Sequence, residues 1–389
     1  MDRALKIAVV AGEVSGDLLG GDLIAALKRQ HGGPVDLVGV GGEALEAEGL
    51  VSLFDYSELS IMGFTQVIAR LPRMISLIRQ AADAIIASRP DALLIIDSPD
   101  FTHRVAKRVR KVLPDLPVVK YVCPSVWAWK EYRARAMLAY VDHVLAVLPF
   151  EPDVMRRLGG PPTTFIGHRL ASDPSLLAVR HARAKRGCEP VGPQRTIMLL
   201  PGSRAFEIRK LLPIMGEAMR ELLARNGALR FVLPTVPRRE ALVREVIAEW
   251  PVKPEVIVGD DGKWQAFSEA DAALAASGTV ILELALAGVP SVSVYQTDWI
   301  IKLLASRIKV WTAALPNLIA DYCVVPEYID HTLRAGSLTR WAERLSVDSL
   351  QRQAMIEGFD LVQRRLTPEV PAGEAGARIL LETLRKKSP

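Results

Sequence analysis

Cysteine is scarce in this 389-residue chain. Cys123, Cys188 and Cys323 are odd in number and far apart. They build neither a disulfide framework nor a metal site, and they point to a reducing cytosol. Long apolar runs are also missing. No uninterrupted stretch approaches about eighteen residues, so no transmembrane helix is expected. The run 7–11 stops at Gly12-Glu13 and reads as a first strand rather than a secretory signal. There is no Asp-X-Asp pair, and the six histidines lack metal-ligand spacing, so neither a metal nor another cofactor is expected. Recognition-helix motifs and basic runs with interleaved aromatics are absent, which argues against nucleic acid. The net charge of +5 still favours anionic partners, such as nucleotides or an acidic membrane surface.

Half the residues are hydrophobic, enough for the cores of about two domains. Apolar strand-like runs alternate with helical patterns along the chain. The most informative stretch is Ser277-Gly278-Thr279 with the helical run that follows it to Gly288 and Pro290. It follows an apolar strand at 270–276, with Thr279 placed as the N-cap. Such a strand-turn-helix directs free N–H groups and the positive helix end at one spot, which suits phosphate. Glu283 lies one turn further on the same face, where its carboxylate can accept two hydrogen bonds from a ribose diol. The strand at 196–200 runs likewise into Gly202-Ser203-Arg204, whose guanidinium can grip a diphosphate and stabilise it as it departs. Many such turns bind nothing, and the arginine could simply close a turn.

Earlier in the chain, the strand at 5–11 meets Gly12-Glu13-Val14-Ser15-Gly16-Asp17, a site loop without G-x-G-x-x-G spacing. The strand at 91–97 ends in Asp97-Ser98-Pro99-Asp100, two carboxylates where ligands sit in open α/β sheets. Asp97, Asp100, Glu13 and Asp17 are all candidates for general base, with capping as the alternative role of the Asp97–Asp100 pair. Trp127 and Trp129, beside Lys130, Arg133 and Arg135, form either a wall for a large anionic ligand or a packed loop. At 61–80, apolar residues at helical spacing alternate with arginines around Pro72, which should bend or break the helix. Phe64, Ile68 and Leu71 then face either the core or a membrane surface. Residues 169–194 read as an interdomain linker, 298–310 as a helix and 315–319 as a loop.

Eight motifs together resemble the lipid-A-disaccharide synthase family. They are Ala11-Gly12-Glu13-Val14-Ser15-Gly16-Asp17, Ser60-Ile61-Met62-Gly63, Ile96-Asp97-Ser98-Pro99-Asp100-Phe101, Pro124-Ser125-Val126-Trp127-Ala128-Trp129, Leu148-Pro149-Phe150-Glu151, Phe165-Ile166-Gly167-His168, Leu200-Pro201-Gly202-Ser203-Arg204 and Ser277-Gly278-Thr279. The likeness spans nearly the whole chain; Val14 and Ser98 depart from some relatives at positions that carry no chemistry. It implies an inverting glycosyltransferase of the α/β class, with two Rossmann-like doubly wound domains facing a central cleft (GT-B). The expected division is 1–168 on the acceptor and membrane side, 169–366 for the UDP-sugar, and a C-terminal helix at 367–389 returning to the first domain or to a partner subunit.

The implied substrates are UDP-2,3-diacylglucosamine and 2,3-diacylglucosamine 1-phosphate, joined β-1,6 with release of UDP. The implied location is the cytoplasmic face of the inner membrane, against its anionic lipid surface, with a homodimer left open. Asp100 matches the essential carboxylate and Arg204 the essential arginine, with Asp97 beside them. Gly12, Glu13, Ser15, Asp17, Trp127 and Trp129 join the substrate-binding set. Gly202, Ser203, Ser277, Gly278, Thr279, Glu283, Gln296 and Asn317 form its donor side. The tryptophan loop argues against the nearest alternatives, a UDP-N-acetylglucosamine 2-epimerase or the peptidoglycan N-acetylglucosaminyltransferase.

Overall fold

The computed structural model of the protein describes residues 4–59, 64–187, 189–191, 193–297 and 308–387, with the backbone alone at 57, 64–71 and 387. The chain divides into two compact units, Met1–Arg169 with Pro368–Pro389, and Leu170–Thr367. The first unit holds strands β1 (Leu5–Ala11), β2 (Val35–Val40), β3 (Ala92–Ile96), β4 (Val118–Tyr121), β5 (His143–Ala146) and β6 (Thr163–Phe165). The second holds β7 (Thr196–Leu200), β8 (Arg230–Thr235), β9 (Glu255–Val258), β10 (Ala272–Ala276), β11 (Ser291–Tyr295) and β12 (Glu327–Ile329).

Both sheets are parallel throughout. Their orders are β2-β1-β3-β4-β5-β6 and β12-β11-β10-β7-β8-β9. The first is a flavodoxin-like order, and the second is the dinucleotide-fold order read from the other edge. Parallel strands need crossovers, so helices cover both faces and the central strands become apolar along their whole length. Ala-Leu-Leu-Ile-Ile in β3 and Ala-Ala-Leu-Ala-Ala in β10 are buried at every position.

The first sheet separates two apolar layers. One contains Leu77, Ala81 and Ile85 with Val105 and Val109. The other joins Leu23, Ile24 and Leu27 to Ala377 and Leu380. The last helix, Ala372–Lys387, therefore completes the core of the first unit against the helix Val14–His31.

Several sequence expectations need correction. Residues 14–17 open the helix Val14–His31 rather than forming a loop, and Gly20 lets that helix close on Ile96 of β3. The segment 169–194 contains a helix, Pro174–Arg186, packed within the second unit. Its buried side chains, Leu176, Val179 and Arg183, fall at i, i+3 and i+7; an arginine in the third place hides the apolar period. The N-cap Asp173 accepts from the N–H groups of Ser175 and Leu176 at 3.0 and 3.1 Å. The helix Phe64–Ser88 runs through Pro72 without a break, and 315–319 lies in a helix, Leu315–Ala320. The expected helix at 298–310 falls mostly outside the described residues, as does the motif Ser60-Ile61-Met62-Gly63.

Leu380 is fully buried between the last helix and the first. Leu380→Ala should lower unfolding free energy by about 2–5 kcal/mol, the range for a buried leucine truncated in a core. Urea denaturation of the full chain measures it.

Candidate active site

In each sheet the strand order reverses once, and a crevice opens there at the carboxyl ends of the two strands concerned. In the first unit those strands are β1 and β3. The backbone after β3 is strained: Asp97 and Ser98 have φ of 46° and 35°, a left-handed conformation costly for residues with a side chain. Val122 after β4 and Lys130 in the tryptophan loop share it, at 67° and 52°. Four of the seven non-glycine residues with positive φ among those described thus lie in two neighbouring loops. Strained backbone of this kind tends to cluster where ligands are bound or chemistry is done.

Specific bonds hold the Asp97–Ser98 turn. The Asp97 carbonyl accepts from Thr102 Oγ1 and from Lys120 Nζ, each at 2.7 Å. The Asp97 N–H donates to the Tyr121 carbonyl at 3.1 Å. Lys120 is 1 % exposed, and burial lowers its pKa to about 8 against the opposing pull of Asp97. Gly12 supplies the other wall, since a Cβ there would lie 2.5 Å from Ser98 Oγ. Glu13 sits beside this turn, with Ser98 Oγ donating to Oε1 at 3.5 Å. Desolvation first, and then the charge of Asp97, raise the Glu13 pKa. Asp100 projects exposed from the first turn of the helix Pro99–Val112, its carboxylate making no hydrogen bond or ion pair with another described residue. Glu13, Asp97 and Asp100 thus gather at one switch point, with exposed Ser15 in the adjoining helix turn.

Asp17 does not belong to this group. Its carboxylate is buried and accepts from the N–H groups of Gly42, Ala44 and Leu45 at 2.7, 2.9 and 3.2 Å. It caps the helix Glu43–Ala47 and is occupied as a base or ligand. The tryptophans are packed as well. Trp127 meets Phe150 edge-on at 5.5 Å, and its Nε1 donates to Glu151 Oε1 at 3.2 Å. Trp129 lies under Lys130 Nζ, 4.0 Å from the ring centroid. The side chains of Phe64, Ile68 and Leu71 lie outside the described residues.

In the second unit the reversal lies between β7 and β10. A cavity of about 380 Å³ opens there, within the range of small-molecule sites. Gly202, Ser203, Arg204, Ser277, Gly278, Thr279 and Glu283 all line it. Gly202 has φ of 100° and Glu207 pressed against it, so only glycine fits. Arg204 is the N-cap of the helix Ala205–Asn226, and its Nη1 pairs with Glu207 Oε1 at 3.1 Å. Gly278, rather than Thr279, is the N-cap of the helix Thr279–Ala287, because its φ of 149° is one a side chain resists. The Ser277 N–H is taken by the Val294 carbonyl at 2.8 Å, so the free donors belong to the helix's first turn.

Gln296 follows β11 at the same edge and is not among the residues lining the cavity. Asn317 is buried and fully bonded. Its Nδ2 donates to Thr312 Oγ1 and the Val325 carbonyl, and its Oδ1 accepts from the N–H groups of Val324 and Val325. Its side chain shapes a turn and has no bond to spare for a donor. Sequence reasoning missed Asp260, Lys263 and Glu207, which also line the cavity. The signal was available: β9 ends in Gly259-Asp260, a third glycine loop on the same edge. Among the described residues no group of three or more His, Cys, Asp or Glu could hold a metal ion.

Glu151 provides a test of the first unit's loop packing. It is buried, and besides Trp127 it accepts from the N–H groups of Val147 and Leu148 at 3.1 and 3.0 Å. Burial nonetheless raises its pKa from 4.5 to about 8. Between those values the native protein keeps a proton that the unfolded chain has lost. Stability from this group is full below the lower value and falls as pH rises toward the upper one. Urea midpoints at about pH 5 and about pH 8 should therefore drop less for Glu151→Gln than for the wild type.

Comparison with known proteins agrees with this geometry. The family model described as lipid-A-disaccharide synthetase matches residues 7–363. The lipid-A-disaccharide synthase of Nitrobacter winogradskyi is 46% identical over 384 residues, covering 98% of this chain and 96% of that protein. That of Bradyrhizobium diazoefficiens is 43% identical over 387 residues, covering 99% and 98%. Among solved structures, Acinetobacter baumannii MurG aligns with a TM-score of 0.55 at 15% identity, covering 99% of this chain and all of that one. The Neisseria meningitidis UDP-GlcNAc 2-epimerase bound to UDP-GlcNAc aligns at 0.56 and 13%, covering 98% and 100%. These two share the fold of paired Rossmann-like domains. With the family matched across nearly its whole length and full-length relatives above 40% identity, this chain belongs to the lipid-A-disaccharide synthase family.

Proposed function

We propose that this glycosyltransferase moves 2,3-diacylglucosamine from its UDP carrier to the 6-hydroxyl of 2,3-diacylglucosamine 1-phosphate. The products are a β-1,6-linked tetraacyl disaccharide 1-phosphate and UDP. The observation that carries this reading is the cavity at the β7–β10 switch point, where three glycine turns, the helix N-termini that follow them, Arg204 and Glu283 converge. Such a site suits a nucleoside diphosphate: N–H groups and guanidinium for the phosphates, a carboxylate for the ribose.

In the reaction the acceptor oxygen attacks the anomeric carbon as the bond to the UDP oxygen breaks. Inversion follows from attack on the face opposite the leaving group. Asp100 is assigned as the base that takes the hydroxyl proton, since it is exposed and its carboxylate is uncommitted among the described residues. Glu13 and Asp97 sit beside it as further carboxylates of the acceptor side. Arg204 and the first turn of the helix Thr279–Ala287 receive the charge that develops on the diphosphate.

The test is mass analysis of products after incubating the full chain with both acylated substrates in detergent, with EDTA present. The tetraacyl disaccharide should form. Asp100→Ala and Arg204→Ala should each lower kcat by at least about 100-fold while leaving the circular dichroism spectrum unchanged. Absence of product, or near-normal turnover by either variant, would overturn the assignment concerned.

No described helix is long and apolar enough to cross a membrane, yet both proposed substrates carry acyl chains. The helix Phe64–Ser88 combines an apolar sequence with Arg70, Arg73 and Arg79. We assign it to contact with an anionic lipid surface through Phe64, Ile68 and Leu71. Replacing these three by serine should weaken sedimentation with phosphatidylglycerol vesicles; equal sedimentation would exclude the contact.

A further inference from the structure

The cavity of the second unit contains a cation with no assigned role. Lys263 lies in the helix Asp260–Glu269, which follows β9 and its glycine turn. Its Nζ is 2.6 Å from Glu283 Oε2. It also lies 4.4 Å from the ring centroid of Trp264 and 5.5 Å from that of Phe267. Those rings pack edge to face at 5.5 Å, and Phe267 is fully buried. The ammonium is therefore fixed over a rigid aromatic support by one carboxylate. The side chain remains 24% exposed and lines the cavity with Arg204 and the Ser277-Gly278-Thr279 turn.

Charge balance gives this placement its meaning. The cavity wall carries three carboxylates, Glu207, Asp260 and Glu283, against two cations, Arg204 and Lys263. Arg204 is already paired with Glu207. A helix N-terminus supplies only about half an elementary charge. A nucleoside diphosphate brings at least two negative charges into this acidic surround. Three helix N-termini line the cavity, those of the helices beginning at Ala205, Asp260 and Thr279, but the first two already carry Glu207 and Asp260 in their first turns, which leaves Arg204 and the Thr279 end short of balancing it. An ammonium has three N–H donors, and Glu283 takes one.

We propose that Lys263 is a second phosphate-binding residue of this site. In this arrangement Glu283 serves two partners. One of its oxygens orients the Lys263 ammonium toward the diphosphate, and the other faces the ribose. The inference rests on the nucleotide reading of the cavity given above.

The experiment compares the full-length wild type with Lys263→Met and Lys263→Arg. UDP affinity is measured by calorimetry and uridine binding by saturation-transfer NMR. The expected result is a loss of about tenfold or more in UDP affinity for Lys263→Met, equivalent to 1.4 kcal/mol or more. Uridine binding should be unchanged, and Lys263→Arg should restore most of the loss. The donor KM should rise in parallel, with a smaller change in kcat. If Lys263→Met binds UDP like the wild type, the proposal is wrong. If it loses UDP and uridine binding equally, Lys263 only props up the pocket wall, and the proposal is again wrong. A wild-type chain that binds no UDP would instead refute the nucleotide reading, which keeps the two failures apart. If Lys263→Met does not fold, Lys263→Gln replaces it and is judged by the same UDP-to-uridine comparison.

Discussion

Parallel pairing of every strand is the constraint from which the two units follow. A parallel strand can be reached only by a crossover, so the chain returns to the starting edge before each new strand. All carboxyl ends in one sheet then share an edge, and the loops that leave them cluster there. Because the crossovers keep one hand, helices change face only where the strand order reverses. That reversal leaves an uncovered crevice between β1 and β3 in the first unit and between β7 and β10 in the second. The carboxylate group of the first unit and the cavity of the second stand at those two positions.

The same constraint explains where charge is buried. Helices covering a parallel sheet end with unpaired carbonyl groups on the edge opposite the site. In the second unit arginines meet them. Arg183 donates to the carbonyls of Phe267, Ala270 and Gly288, and Arg352 to those of Asp271 and Leu345. Both arginines are nearly inaccessible to solvent. In the first unit Lys120 plays a related part at the site edge, donating to the carbonyl of the strained Asp97. Among the described residues Lys120 has no carboxylate within salt-bridge distance, which makes its burial costly. Here it fixes a turn that would otherwise relax toward an ordinary backbone conformation. Asp17, Asn317 and Glu151 serve the same end with opposite polarity, each binding several backbone N–H groups of neighbouring loops. Polar residues near the sites therefore divide into those whose bonds are consumed by the frame and those left with capacity for a ligand.

This division separates what was legible in the sequence from what was not. Apolar runs bounded by glycine and proline located the strands; the readings at 5–11 and 196–200 match β1 and β7 at both limits. The loops at the carboxyl ends of β3, β7 and β10 were legible too, because turn residues followed by a helix have a local signature. The helix Pro174–Arg186 was missed because Arg183 occupies an apolar position, where carbonyl groups distant in the sequence accept from it. Asp17 and Asn317 looked like ligand residues, since a motif shows which side chain is present but not which N–H groups will surround it.

The sequence by itself determined the alternation of strand and helix, the glycine turns and the family pattern. These depend on local conformational preference and on residue order. Only the tertiary structure decided which carboxylates and amides are already satisfied. It also decided that Lys263 meets Glu283, and that Lys120 holds the turn beside Asp100. The physical reason is distance: hydrogen bonds and ion pairs act over a few ångströms, and pairs such as Lys120 with Asp97 or Lys263 with Glu283 lie twenty or more residues apart, so they arise only once the sheets have assembled.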